Sequence, residues 1–359
     1  PTKQIRQTSN RKQASSSKRP MEFTTRSKEM NATMKAIIYT QYGSPDVIQF
    51  KEVEKPTPKD NEVLIKVHAA SVNAGDWHYL RGTPRLFRLT AGLLKPKNIF
   101  LGADVAGRVE AVGKNVTQFQ PGDEVFGDLS ASGRGAFAEY VCASETALVL
   151  KPANISFEEA AGVPVAAVTA LQGLQSRTQI QPGQKVLING ASGGVGTFAV
   201  QIAKAFGAEV TAVCSTRNVD RMHSIDADHV IDYSKEDFAH NGQQYDFILA
   251  ANGYRPFSDY KRALKPGGTY VMTGGATAQL FEAMLLGSLV SVTGNRKMGN
   301  VMGKPNQQNL AYMKELLEAG KVKPVIDRCY PLSEVAEAIR YLEAGHAQGK
   351  VVITVRAAN

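Results

Sequence analysis

The amino-acid sequence is short of two features that would assign it to other classes of protein. No apolar run approaches the roughly 18 uncharged residues that a transmembrane helix requires, so no membrane span is expected. Cysteine is scarce: Cys142, Cys214 and Cys329 are widely separated and form no CxxC pair. We expect free, buried thiols in a reducing compartment rather than a disulfide framework.

A strong positive charge on the folded part of the chain is also lacking. The 359 residues carry a formal net charge of +9, but residues 1–33 hold eight Lys and Arg against two Glu. That segment therefore carries +6, and the other 326 residues carry only +3. Such a body has no electrostatic footprint for a polyanion, and we predict no nucleic-acid binding.

Residues 1–33 are rich in Ser, Thr and Asn and almost free of large apolar side chains. Such a segment cannot bury enough surface to offset its ordering entropy, so it is predicted to be a disordered leader or tag. Its basic, acid-poor composition is equally that of an organelle transit peptide. A cytoplasmic location is expected, with an organelle as the alternative if the leader is a transit peptide. The folded body is predicted to begin at Met34.

The first part of the folded chain is predicted to be an all-β, barrel-like unit. Strand patterns occur at Lys35–Tyr39 and Val63–Val67, and residues 102–113 form a Gly-rich strand pair. A final strand over residues 349–355 has no partner among the elements just before it. It is therefore expected to return to this first unit.

From Ser156 onwards the pattern changes to alternating strands and helices. Ser156 suits an N-cap, because two glutamates follow it in the first turn, and an Ala-rich helix is predicted to continue to Leu174. A further capped helix is predicted to start at Ser333. The intervening strands are short and apolar, which is typical of a parallel, doubly wound sheet. They are predicted at residues 185–189, 209–214, 229–231, 246–250 and 268–273.

The sharpest motif is the run VLINGASGGVG at residues 186–196, which follows a predicted strand and opens a predicted helix. Gly190, Gly193 and Gly196 are spaced by three residues, as a variant of the GxGxxG fingerprint. Glycines there allow a tight turn and let the backbone approach a pyrophosphate at a helix N-terminus. The motif predicts a dinucleotide site; the alternative is a turn that serves only helix–strand packing.

The next strand indicates which dinucleotide binds. A site for NAD usually ends this strand with Asp or Glu, which accepts a hydrogen bond from the ribose 2′-hydroxyl. Here the strand ends at Cys214, and Ser215 and Arg217 follow. A hydroxyl and a guanidinium suit a 2′-phosphate, so NADPH is predicted. The alternative is that Arg217 points to solvent at the start of a helix.

These residues, together with the flanking β half, resemble the medium-chain dehydrogenase/reductase superfamily, and within it the zinc-free quinone oxidoreductase group. The resemblance implies an α/β fold in which a Rossmann doubly wound parallel sheet domain, residues 157–296, is inserted into a GroES-like β-barrel catalytic domain, residues 34–156 and 297–359. It also implies a homodimer. The motifs that carry it are SVNAGD (71–76), GADVAG (102–107), PGDEV (121–125), GAFAEY (135–140), VTA (168–170) and GKVVI (349–353).

The resemblance also bears on metal. Zinc alcohol dehydrogenases carry Cys where this chain has Asn73, and a His-Glu pair where it has Ala103 and Asp104. With no cluster of thiolate or imidazole ligands, no metal site is expected. Simple alcohol oxidation is then disfavoured for want of a Lewis acid. Quinones and enones need less help, because conjugation spreads the negative charge during hydride addition, and the protein mainly supplies orientation.

The resemblance implies a set of site residues along NADPH. Asn73 and Tyr79 are the expected catalytic residues, with plain packing as the alternative for Tyr79. No residue is a convincing general acid, so the proton is expected to come from water. The residues expected to bind the cofactor are Asn73, Thr169, Ser192, Gly193, Gly194, Val195, Ser215, Arg217, Tyr233, Asn252, Gly274, Gly275 and Lys350.

Residues 82–100 are apolar and basic and have no counterpart in the shortest family members. One interpretation is a substrate-mouth lid, or a patch over residues 83–100 that touches a membrane or a lipophilic quinone. The other is a helix packed on the body with its basic side chains, Arg85, Arg88, Lys95 and Lys97, in solvent.

The predicted function is that of an NADPH-dependent oxidoreductase that transfers hydride to a quinone or an α,β-unsaturated carbonyl. Two alternatives stay open. One is a non-catalytic NADPH-binding structural or regulatory protein, and the other is an alcohol or carbonyl oxidoreductase.

Overall fold

The computed structural model describes residues 32–253, 255–274 and 295–355. The strands are β1 (Thr33–Ile38), β2 (Gln49–Glu54), β3 (Glu62–Val72), β4 (Asp104–Val112), β5 (Glu124–Asp128), β6 (Tyr140–Ser144), β7 (Leu148–Leu150), β8 (Lys185–Asn189), β9 (Glu209–Cys214), β10 (His229–Asp232), β11 (Tyr245–Ala250), β12 (Leu264–Met272), β13 (Lys297–Asn300), β14 (Ile326–Pro331) and β15 (Lys350–Thr354). The α-helices are α1 (Ala74–Arg81), α2 (Arg88–Ala91), α3 (Phe157–Ala161), α4 (Pro164–Gln175), α5 (Gly194–Ala205), α6 (Val219–Ser224), α7 (Phe257–Ala263), α8 (Gln307–Glu318) and α9 (Val335–Glu343). None of the helices within these ranges has the length and apolar character needed to span a bilayer.

The first sheet has seven strands in the order β14-β15-β3-β4-β5-β7, with β6 also paired to β3. The closing strand β15 lies antiparallel to β3, with Val351 opposite Val72. The last strand of the chain therefore returns to the first β unit, as predicted. β1 and β2 form a separate antiparallel pair.

The second sheet has six parallel strands in the order β10-β9-β8-β11-β12-β13, and the predicted doubly wound fold is confirmed. The strand order reverses between β8 and β11. In sheets of this kind, ligands bind in the crevice outside the carboxyl ends of the strands at that point.

Strand β8 shows why these strands are apolar throughout. Val186, Leu187 and Ile188 are all fully buried, because helices cover both faces of a parallel sheet. Val186 and Ile188 belong to the core that includes α4, α5 and α8. Leu187 points to the opposite face and packs in a second core with Tyr260 of α7. The alternation follows from the period of two residues along a strand.

The helix that begins after Ser156 is shorter than predicted. Ser156 does cap it, since its Oγ accepts from the Glu159 backbone N–H at 3.1 Å while the Glu159 carboxylate accepts from the Ser156 N–H at 2.8 Å. Helix α3 ends at Ala161, however, and α4 begins at Pro164. Proline has no backbone N–H to continue a helix and is favoured at a helix start.

Two smaller expectations are also corrected. The helix predicted to start at Ser333 is preceded by a 3₁₀ turn, Leu332–Glu334, and becomes α-helical only at Val335. Of the three free cysteines, Cys214 is buried and Cys142 is partly buried, but Cys329 is exposed. Cys329 lies on β14, the edge strand of the first sheet. The boundaries between the two predicted domains remain predictions.

Candidate active site

The loop after β8 makes two backbone contacts that require glycine. Gly190 has a φ of +76°, and a Cβ there would lie 2.7 Å from the Asn252 backbone nitrogen. A Cβ on Gly196 would collide with the Gly190 carbonyl oxygen. Gly193, the N-cap of α5, has nothing closer than that same oxygen at 3.7 Å. The turn is closed around Gly190 and Gly196 but open at Gly193, next to the N-terminus of α5, where an anion is favoured.

A cleft of about 560 Å³ lies over the carboxyl ends of β8, β9 and β11. It brings together six of the predicted cofactor residues: Ser192, Gly193, Ser215, Arg217, Tyr233 and Asn252. The remaining described ones, which do not line it, are Asn73, Thr169, Gly194, Val195, Gly274 and Lys350. Gly275 lies outside the described residues.

Around the end of β9, the cleft has the donors that a phosphate needs. Ser215 and Arg217 both line it, and one Arg217 nitrogen donates to the His346 carbonyl at 3.2 Å. The carboxylate of Asp232, on the neighbouring strand, is not among the cleft's lining residues. Hydrogen bonds from the Thr216 and Ser234 hydroxyls, at 2.7 Å each, lower the pKa of Asp232 to about 2.

Among the lining residues that sequence reasoning missed, two have polar side chains, Asn218 and Arg255. The Asn218 side-chain amide donates to Ser215 Oγ at 3.1 Å, and its Oδ1 is buried without a hydrogen-bond partner among the described residues. Buried polar atoms are rarely left unpaired, so an orphaned acceptor next to Ser215 in this cleft fits a ligand that carries donors. The donor set and the open turn therefore fit a dinucleotide with a 2′-phosphate. Neither residue belongs to a sequence motif that could have identified it.

A buried polar network joins the first sheet to the start of α4. Asp104, at the start of β4, has no exposed surface, and its Oδ2 accepts from Ser71 Oγ at 2.6 Å and from Asn73 Nδ2 at 2.9 Å. Its other oxygen accepts from the Val165 backbone N–H at 2.8 Å, at the start of α4. Lys350 Nζ lies 3.2 Å from Asp104 Oδ2 and 2.7 Å from Asn73 Oδ1. Every Asp104 oxygen is therefore satisfied, as a buried charge requires.

The same lysine links this network to the glycine turn. A Cβ on Gly194, the first residue of α5, would lie 2.9 Å from Lys350 Cδ. Thr169 is buried on α4, four residues after Val165. Gly303 packs against it so closely that a Cβ on Gly303 would collide with the Thr169 hydroxyl. Asn73 and Lys350 are thus brought together, and Lys350 contacts the turn.

Tyr79 lies apart from the main cleft. Its ring is stacked under the Arg134 guanidinium at 3.6 Å, and both residues line a cavity of about 290 Å³. Arg134 also lies 3.6 Å from Asp76 Oδ1. Burial raises the pKa of Asp76, against the lowering effect of Arg134. Asp76 in turn accepts from the Asn73 backbone N–H at 2.8 Å, which fixes the start of α1.

Asp128 is a buried acid that the sequence did not single out. It faces Asp104 across the β4–β5 pair and lines a cavity of about 140 Å³ with Val168 and Asn306. Burial, followed by the Asp104 charge, raises the pKa of Asp128 to about 6. Burial in the folded chain, not the local sequence, sets this property.

Within the described ranges, no group of three or more His, Cys, Asp and Glu side chains could hold a metal ion.

Two family models match the chain. Residues 59–153 match the alcohol dehydrogenase GroES-like domain, and residues 225–353 match the family described as zinc-binding dehydrogenase.

Known proteins resemble the chain over most of its length. It is 37% identical to a chloroplast envelope quinone oxidoreductase homolog of Arabidopsis thaliana, over 89% of this chain and 98% of that one. It is also 37% identical to an NADPH-dependent alkenal/one oxidoreductase of the same plant, over 89% of this chain and 79% of the relative. Among solved structures, the quinone oxidoreductase from Coxiella burnetii has 31% identity and a TM-score of 0.77, covering 90% of this chain and all of that one.

Proposed function

Because the chain belongs to the medium-chain dehydrogenase/reductase superfamily, in its zinc-free-type quinone oxidoreductase-like branch, we propose that it transfers hydride from NADPH to a quinone or an α,β-unsaturated carbonyl. The relatives named as quinone and alkenal/one oxidoreductases support this substrate class. Hydride is the chemistry that NADPH supplies when bound.

One observation carries the proposal: the cleft that joins the open glycine turn to Ser215 and Arg217. The turn and the N-terminus of α5 hold the pyrophosphate through backbone N–H groups. Ser215 and Arg217 hold the 2′-phosphate, because a guanidinium forms strong, charge-assisted hydrogen bonds with phosphate oxygens. No carboxylate lines the described part of the cleft to repel that phosphate.

We assign the substrate end to Asn73 and Lys350, which contact each other, and to Thr169 of α4, the helix whose start contacts the same network. Hydride addition to an enone or quinone leaves negative charge on a carbonyl oxygen, and preorganised donors stabilise that charge best. Lys350 is the cation of this group, and its ammonium is already held by Asn73 and Asp104. Tyr79 lines a separate cavity with Arg134, so it is not assigned to this group, and its catalytic role stays a prediction.

The experiment is a steady-state assay of NADPH and NADH oxidation with phenanthrenequinone and with a short-chain enone. An Arg217→Ala variant should lower kcat/KM for NADPH roughly 10- to 100-fold and leave NADH almost unchanged, because one charge-assisted hydrogen bond is worth about 1.5–3 kcal/mol. Arg221→Ala is the matched control: Arg221 also donates to the neighbouring segment, at the Gln348 carbonyl, but does not line the cleft.

Two results would contradict the proposal. Equal losses with NADPH and NADH in Arg217→Ala would mean that Arg217 only supports the fold. NADPH binding without turnover on either acceptor, in a chain with its native unfolding transition, would assign it to the non-catalytic class.

We also propose a homodimer joined through β13, one of the two edge strands of the parallel sheet in the described chain. An unpaired strand edge offers a row of backbone donors and acceptors to a second copy. Light scattering on the purified chain gives the mass directly.

For localisation, a fluorescent fusion with and without residues 1–33 distinguishes the cytoplasm from an organelle.

A further inference from the structure

The segment of residues 83–100 is not a single helix packed on the body. A 3₁₀ turn, Arg85–Phe87, leads into the one-turn helix α2. An irregular loop follows Gly92 and folds back on α2, where the Lys97 backbone N–H donates to the Ala91 carbonyl at 2.8 Å. Contacts with the body of the protein anchor this segment. Tyr42 Oη donates to the Gly92 carbonyl at 2.7 Å, and the Phe87 ring meets the Tyr79 ring edge-on at 4.5 Å.

This anchored backbone presents leucines to solvent. Leu86, Leu89, Leu93 and Leu94 are 73%, 64%, 65% and 89% exposed. Four of the eight large hydrophobic side chains exposed by the described residues therefore lie in this short stretch. Contiguous exposed apolar side chains on a fixed backbone mark an interaction surface more often than an accident of folding.

The charged side chains within the segment are all of one sign. No Asp or Glu occurs between Asp76 and Asp104 in the sequence. Arg85, Lys95 and Lys97 are exposed and make no ion pair with any described residue. Arg88 was predicted to lie in solvent if the segment is a packed helix, but it contacts the body. Its guanidinium donates to the Gly82 carbonyl at 2.9 Å and lies over the Tyr42 ring at 4.4 Å.

We propose that these four leucines and three free cations form a docking surface for an anionic lipid bilayer, called here the leucine surface. Leucines that enter the headgroup boundary and cations that pair with lipid phosphates are the two components of peripheral membrane binding. A second copy of the chain is the less suitable occupant, because a two-fold contact would bring the same cations against one another. The proposal does not depend on which reaction the chain catalyses.

The test is co-sedimentation of the full chain with vesicles of phosphatidylcholine alone and of phosphatidylcholine with phosphatidylglycerol. Each basic residue near an anionic surface contributes about 1 kcal/mol, roughly fivefold in partitioning. The triple variant Arg85→Glu, Lys95→Glu, Lys97→Glu should therefore lower binding to the anionic vesicles by about 100-fold or more.

Three exposed lysines outside the segment give a matched control, Lys51→Glu, Lys261→Glu, Lys321→Glu, with the same change in net charge. Both triple variants keep the basic residues 1–33, so the difference between them isolates the leucine surface. The control should lose far less binding.

A separate variant, Leu86→Ser, Leu89→Ser, Leu93→Ser, Leu94→Ser, tests the apolar part. It should also bind anionic vesicles more weakly while keeping the native unfolding temperature, because the side chains it replaces are exposed.

Three outcomes would overturn the proposal. The chain could fail to sediment with anionic vesicles. The control triple variant could lose as much binding as the surface variant, which would assign the effect to net charge. The leucine variant could bind vesicles normally but change its mass by light scattering, which would make this face a contact between copies.

Discussion

The Lys350 ammonium lies 2.7 Å from the Asn73 amide oxygen, although the two residues are 277 positions apart in the chain. The other end of the same amide donates to Asp104 at 2.9 Å. With both ends engaged, the Asn73 side chain has one orientation, and the closing strand β15 determines it. The candidate substrate site is therefore complete only when the last strand has paired with β3.

The first prediction concerns the stability of this network. Lys350→Met should destabilise the fold by about 3–5 kcal/mol, because it leaves the fully buried Asp104 without its cation. Adding Asp104→Asn should recover much of that loss by removing the unpaired charge. Urea unfolding of the two single variants and the double variant gives the coupling energy.

Lys185→Met is the control for that cycle. Lys185 lies 3.7 Å from Glu209 on the surface, and such exposed pairs contribute at most about 1 kcal/mol. If Lys350→Met costs no more than Lys185→Met, the ion pair does not stabilise the fold.

The second prediction separates binding from folding at the glycine turn. Gly193→Ala should leave the unfolding transition almost unchanged, since the nearest atom to the new Cβ is 3.7 Å away and φ is −79°. It should weaken NADPH binding at least tenfold if the pyrophosphate lies against this backbone. Titration of cofactor fluorescence measures the affinity. Unchanged affinity would place the pyrophosphate elsewhere.

The third prediction compares two glycines with the same backbone conformation. Gly190 and Gly183 have φ of +76° and +79°, but only Gly190 has close neighbours. Gly183→Ala should cost about 1–2 kcal/mol, the ordinary penalty of a left-handed residue. Gly190→Ala should cost clearly more, because its methyl group would also meet the Asn252 backbone. Thermal unfolding of both variants measures the two losses of stability. Equal losses would mean that the turn at Gly190 can shift to accommodate the methyl group without further cost.

Local patterns predicted the parallel sheet and the glycine turn because each depends on neighbours in sequence. Strand β8, the turn and α5 follow one another within about twenty residues, so spacing alone carried the inference. The break between α3 and α4 was missed although Pro164 marks it, because the Ala-rich composition favoured one continuous helix.

The polar network was beyond local patterns. Ser71, Asp104 and Lys350 belong to three separate strands, which only the pairing of β3 with β4 and β15 brings together. Val165 joins them from a fourth element, α4. Asp104 entered the sequence argument only as the position of a replaced zinc ligand. The exposure of Cys329 was equally hidden, because it depends on β14 being an edge strand.

The last prediction concerns pH. Asp128 has a pKa of about 6 in the folded chain, against 3.8 as its ordinary value. The folded state therefore binds more protons than the unfolded state between these pH values, and this group's contribution to stability falls as pH rises from about 4 to about 6. Asp104 and Arg134 both act on this carboxyl, the first raising its pKa and the second lowering it.

Asp128→Asn removes the titration while keeping an acceptor for the Ser130 backbone N–H, which Asp128 Oδ1 now holds at 2.8 Å. The variant should therefore be more stable than the parent at neutral pH, by up to about 3 kcal/mol, and equal to it near pH ~4. Urea unfolding at both pH values measures the difference.

Asp237→Asn is the opposite-sign control: burial alone would raise the pKa of Asp237, but hydrogen bonds from His240 and Arg255 help to lower it to about 2. That variant should lose stability at neutral pH. A constant difference between Asp128→Asn and the parent at both pH values would mean that Asp128 ionises normally in the fold.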